Sequence, residues 1–156
     1  MNHQELVLDT LRQMGKAAAK ALQEEAPALS DDGVVARGHH LPLFAAAAAR
    51  CNMLQRPVGF VCRTAAGRAV RLLQTYDSAV YTQEPEELPA QWGFCHTTDP
   101  ACALPFLSVA TSPYMEGHCC VWEGRVWRSG QDNNVWAPGT TGVNWEDVGP
   151  AEEENV

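Results

Sequence analysis

One order of landmarks occurs twice in this chain, and it constrains the fold more than any single motif. Gly59-Phe60-Val61-Cys62-Arg63 leads to a turn through Ala65-Ala66-Gly67, then to Arg68-Ala69-Val70-Arg71-Leu72-Leu73, with Pro85 and Trp92 following. Gly117-His118-Cys119-Cys120-Val121 leads to Glu123-Gly124, then to Arg125-Val126-Trp127-Arg128, with Pro138 and Trp145 following. Each copy reads glycine, strand, tight glycine turn, strand, proline-bearing loop, tryptophan, short strand. Units of roughly 40 residues bury little surface, and large aromatics fill such a core most effectively, each removing roughly 150–250 Å² from water. Trp127 and Trp145 are therefore expected in the core. The fold class that follows is mainly β with an N-terminal helix and two small tandem three-stranded β units, a degenerate one over 57–96 and a clearer one over 105–149.

Residues 1–27 read as that helix. Val7, Leu11, Met14, Ala18 and Ala21 follow 4-3-4-3 spacing and share one stripe, while Lys16, Lys20, Glu24 and Glu25 fall elsewhere and Pro27 stops the run. A helix of this length is marginal alone. Its stripe needs a partner, either the rest of the chain or identical helices in a bundle. Residues 28–56 form a connecting region. Ala28 to His40 is a polar linker, and Leu41 to Leu54 is ambiguous, with Ala45 to Ala49 favouring helix by propensity. Residues 150–156 form an acidic tail.

A formal charge of −8 argues against binding nucleic acid, whose phosphates need clustered Lys and Arg, and against an anionic membrane surface. No secretory leader is read in the polar segment after Met1, and the longest apolar run, Leu41 to Ala49, is short and contains Pro42. The six cysteines are irregularly spaced and read mostly as buried small hydrophobes, with a Cys95–Cys102 disulfide as an open alternative. Close Cys pairs of the C-x-x-C kind are absent, so no metal site and no cofactor is expected. Catalysis finds no footing either. Glu84, Glu86 and Glu87 read as a solvated loop rather than the convergent carboxylates of a glycosidase, and there is no Gly-x-Ser-x-Gly elbow.

The most informative string is Asp132-Asn133-Asn134-Val135-Trp136-Ala137-Pro138-Gly139, a loop whose Asn and Asp side chains can bond nearby backbone. With Trp122-Glu123-Gly124-Arg125-Val126-Trp127 before it and Trp145-Glu146-Asp147-Val148 after it, Gly117 to Val148 resembles the small chitin-binding carbohydrate-binding module that closes many bacterial chitinases. More narrowly, Pro105 to Gly149 is similar to a bacteriophage and prophage family with an N-terminal helix and two such modules. Its members are usually named for carbohydrate binding or as head-fibre or tail-associated proteins. Leu43 to Gly93 matches in landmarks only. The chain departs from the chitin binders at Ser129-Gly130-Gln131-Asp132, where they carry a stacking aromatic, and Val70 stands where the first unit's second strand would carry one.

The resemblance implies a non-enzymatic virion-associated structural protein, a fibre or decoration located in the virion. It would bind itself through the helix (a trimer by analogy) and other virion proteins. The second expectation is a glycan-binding adhesin that recognises a polysaccharide. In it Trp122 and Trp136 stack on sugar while Asn133, Asn134 and Gln131 bond hydroxyls; alternatively Trp136 closes the core and the Asn pair holds the turn. Tyr76 and Tyr81 are the corresponding candidates in the first unit.

Overall fold

A computed structural model describes residues 2–152. Helix α1 spans His3–Glu25. Its start is fixed by a reciprocal cap: the Asn2 side chain accepts the Glu5 N–H at 2.8 Å, and the Asn2 N–H donates to Glu5 Oε2 at 2.9 Å. Helices α2 (Asp31–Ala36) and α3 (Phe44–Arg50) follow. Six strands then form two antiparallel sheets of three. Strands β1 (Val61–Arg63), β2 (Ala69–Leu72) and β3 (Trp92–Phe94) pair in the order β1-β2-β3, and β4 (Cys119–Trp122), β5 (Arg125–Ser129) and β6 (Trp145–Pro150) in the order β4-β5-β6.

The helix and the two three-stranded sheets are present, but more residues lie in α-helix than in strand. The protein is mixed α/β, not mainly β. The physical reason lies in residues 28–56, where the polar linker holds α2. Six residues with a glycine at position 33 make a weak helical signal, yet Ser30 Oγ caps the Gly33 N–H and Val34 is fully buried. The alanine run does form α3, burying Phe44 and Ala47.

The two sheets repeat in register. Leu72 lies opposite Trp92 and Ser129 opposite Trp145; Cys62 lies opposite Val70 and Cys120 opposite Trp127. The glycines that enter each unit are equivalent too. Gly59 and Gly117 sit at φ +94° and +95°, donating to Leu72 O and Ser129 O at 2.7 and 2.8 Å. The turns differ: Glu123 and Gly124 both take positive φ in a two-residue hairpin, whereas Ala65-Ala66-Gly67 is a three-residue loop with only Gly67 left-handed. The equivalence extends upstream, since Leu43 bridges Arg63 in parallel as Pro105 bridges Val121. It places Phe44 and Phe106 alike, each edge-on to its unit's tryptophan, Trp92 at 5.7 Å and Trp145 at 6.2 Å.

The cores differ. Trp92 is fully buried among Phe44, Met53, Val70, Leu72 and Tyr76, and its indole N–H donates to Tyr76 Oη at 3.0 Å. In the second unit Trp127 and Trp145 are only half-buried, and the central aromatic is Tyr114, 1% exposed. Residues 95–114 connect the sheets closely. The Cys119 N–H donates to Thr97 O at 2.7 Å, the Phe94 N–H to Ser112 Oγ at 2.9 Å, and the Arg68 guanidinium to Pro105 O. Leu107 and Val109 pack into the first unit's core.

Candidate functional site

Most of the residues singled out above lie on α1 and on the β5–β6 loop, while Trp122 ends β4 and Tyr76 and Tyr81 belong to the first unit. The docked end of α1 is built from Leu22, 1% exposed, which packs with Ala26, Val34, Leu41, Val61 and Ala69. Strand β2 holds this end from below. Its Arg71 donates to Ala26 O at 2.7 Å and Leu29 O at 2.8 Å and faces Asp31 Oδ1 at 3.4 Å, a cation bonded to carbonyls just past the helix end. Asp32 on α2 accepts from the Thr98 N–H and hydroxyl, both at 2.7 Å, and from the Thr97 hydroxyl. Burial works to raise this carboxyl, but those hydrogen bonds outweigh it and hold it below the usual value.

Before Ala18 every described residue of α1 is exposed. Val7 is 44% exposed, Leu11 57% and Met14 63%, with Leu6 and Leu8 beside them. Ala18 and Ala21 are half-buried. The stripe thus begins in the body of the protein and continues for about four turns with nothing among the described residues to cover it. Among the described residues, no helix is long and apolar enough to cross a membrane.

The β5–β6 loop separates its candidates. Trp136 is 49% exposed, and its backbone carbonyl accepts the Trp145 indole N–H at 2.9 Å. Trp122 is half-buried, edge-on to Phe106 at 5.8 Å. No ring contact joins Trp122 to Trp136 among the described residues. Asn133 is exposed in a left-handed turn at φ +55°. Asn134 is fully buried. Its amide nitrogen donates to Ser129 Oγ at 3.1 Å, its amide oxygen accepts the Trp136 N–H, and its backbone pairs with Tyr114 at 2.9 Å in both directions. Gln131 Oε1 accepts the Asn144 N–H at 2.9 Å. Asn134 and Gln131 therefore hold the loop, while Trp136 and Asn133 face solvent. In the first unit Tyr76 is buried and Tyr81 is exposed.

Beneath this loop runs an aromatic stack that the sequence reading passed over. His96 lies on Tyr114 at 3.8 Å and Tyr114 on Phe106 at 5.4 Å, with Trp145 edge-on to Tyr114 and Phe106. A partial signal was present: each unit has a phenylalanine upstream of its entry glycine, Phe44 before Gly59 and Phe106 before Gly117, although the spacings differ. Burial lowers His96 to about 4 and raises Tyr114 to about 12. All six cysteines are free thiols. Burial pushes Cys95 and Cys120 up to about 12 and Cys62 higher, so these sulfurs stay protonated near neutral pH and are poor nucleophiles. No group of three metal-ligating side chains converges among the described residues.

No protein-family model matches the chain, no characterised protein matches its sequence, and no solved structure matches its fold.

Proposed function

We propose that this chain is a non-enzymatic assembly and display protein, in which α1 associates with copies of itself and holds the two β units outward. The observation that carries this reading is the exposed stripe of Val7, Leu11 and Met14 on a helix whose far end is locked to the body through Leu22 and Arg71. An isolated apolar stripe in water is a loss of hydrophobic free energy, about 25 cal/mol for each Å² left uncovered, and association recovers it. The docked end fixes the direction in which the free helix leaves the body. The family resemblance supplies the setting, a virion, where the chain serves as a fibre or decoration alongside other virion proteins. Purified particles test this: the chain is expected to co-sediment with them, and a Leu11→Gln, Met14→Gln chain to stay in the supernatant. Co-sedimentation of neither chain overturns the virion setting.

A second reading is favoured by one observation, the exposure of Trp136. Here the loop acts as an adhesin, with the Trp136 indole stacking on a sugar face and Asn133 supplying the hydrogen bonds. Glycan-array binding that Trp136→Ala abolishes, with the fold retained by circular dichroism, is its expected signature.

A further inference from the structure

A groove of about 580 Å³ runs between the docked half of α1 and helix α3, within the usual size of small-molecule sites. Its floor is apolar. Leu41 and Phe60 are buried beneath it, and Ala46 and Ala47 leave a trough where larger side chains would close it. Beside Gln23 and His40, its charged groups are unusual for a protein of net charge −8: Lys20, Arg50 and Arg56 line it, and no carboxylate does among the described residues.

Those cations are poorly neutralised. Arg50 is exposed in the last turn of α3 and has no ion-pair or hydrogen-bond partner among the described residues. Lys20 has only Glu24, 4.0 Å away, with both side chains well exposed, a weak pair in water. Arg56 lies over the Phe60 ring at 4.5 Å and donates from Nη2 to Ala47 O at 2.9 Å, while its buried Nε has no partner.

We propose that this groove binds an anionic amphiphile, an alkyl chain carrying a carboxylate, with the chain along the alanine trough and the carboxylate between Arg50 and Arg56. The charge of the rim selects the head group, because a carboxylate there gains charge-assisted hydrogen bonds that a neutral head cannot. The backbone of the groove selects the chain. Pro42 O already accepts the Arg63 N–H, Leu43 O the Ala47 N–H, and Ala47 O both the Cys51 N–H and Arg56. With these carbonyls already engaged, an extended peptide would gain little from them, whereas an alkyl chain needs no backbone partner.

Isothermal titration of the full chain with decanoate and with decanol tests this. Decanoate is expected to bind, and decanol roughly tenfold or more weakly, the scale of one lost charged contact. Arg50→Glu is expected to weaken decanoate by at least a similar factor, and Ala46→Phe, which fills the trough from an exposed position, to abolish binding. Met14→Gln, on the other exposed apolar surface, is expected to leave it unchanged. Equal affinity for decanoate and decanol, insensitivity to Arg50→Glu and Ala46→Phe, or loss of binding in Met14→Gln would each overturn the proposal. So would displacement of decanoate by a Glu-rich peptide of equal or higher affinity, which would assign the groove to a protein segment.

Discussion

The side chain of Gln23 pairs with Val61 as a neighbouring strand would: Nε2 donates to Val61 O at 2.7 Å, and Oε1 accepts the Val61 N–H at 3.0 Å. Val61 lies in β1, an outer strand of the first sheet, so its buried edge groups need partners. The second unit solves the same problem differently. At Cys119, the position equivalent to Val61, the backbone of Thr97 is the partner. The helix is thus joined to the first sheet at a point where the 95–114 segment joins the second.

Gln23→Leu is expected to leave both Val61 groups unpaired and to destabilise the chain by about 1–3 kcal/mol. Urea unfolding measures the loss. Retained stability would mean that water replaces the amide at this edge.

Acid is expected to destabilise the protein in a defined window. His96 is 6% exposed, with Nε2 at 2.8 Å from Ser112 O, and burial, aided by neighbouring His118 and Arg68, holds its folded pKa near 4 against 6.5. Between these values the unfolded chain binds more protons, so stability is complete above about pH 6.5 and falls as pH drops toward 4, by about 3 kcal/mol in total. His118, also lowered by burial, acts in the same direction, and Asp32, lowered by its threonine bonds, does so only at more acid pH, below its ordinary carboxylate value. Denaturant midpoints measured from pH 7 to 4 should slope downward, and His96→Phe should flatten the slope.

Asn134→Ala and Trp136→Ala separate the fold of the β5–β6 loop from its exposed face. Removing the buried amide strips hydrogen bonds from Ser129 and the Trp136 N–H and is expected to cost about 1–3 kcal/mol. Removing the exposed indole leaves the backbone bond to Trp145 intact, with an expected change within about 0.5 kcal/mol. Thermal melts of the two variants should therefore differ clearly.

Gly130→Ala is expected to displace the Asn144 side chain from the start of the same loop. A Cβ at this position would lie 2.5 Å from the Asn144 side-chain amide, which already bonds the Gly130 backbone. Both residues are exposed, so the amide can swing aside at the loss of that one hydrogen bond, with an expected cost of about 0.5–1.5 kcal/mol, readable as a slightly lowered melting temperature.

Local rules account for what was legible in the residues. The Glu123-Gly124 hairpin follows from glycine's tolerance of positive φ, and the doubled glycine-to-tryptophan order anticipated two sheets that repeat in register. The stripe through Val7, Leu11 and Met14 was legible from spacing, and the structure leaves these three residues exposed. Features that depend on distant contacts were not. Helix α2 is held by Val34 in a core it shares with α1 and β1. Arg71 reaches a carbonyl 45 positions away. Tyr114 displaces the expected tryptophans from the centre of the second unit because the 95–114 segment folds beneath the sheet, a path no local signal marks. At the candidate loop, Asn133 and Asn134 look alike in sequence, but burial assigns them opposite roles.

Sedimentation equilibrium on the full chain and on a chain lacking residues 1–17, which keeps Leu22 and Gln23, tests the assembly claim most directly. The full chain is expected at a multiple of the single-chain mass, three by the family likeness, and the shortened one at a single mass. Two chains that both sediment as monomers at every concentration would contradict the account.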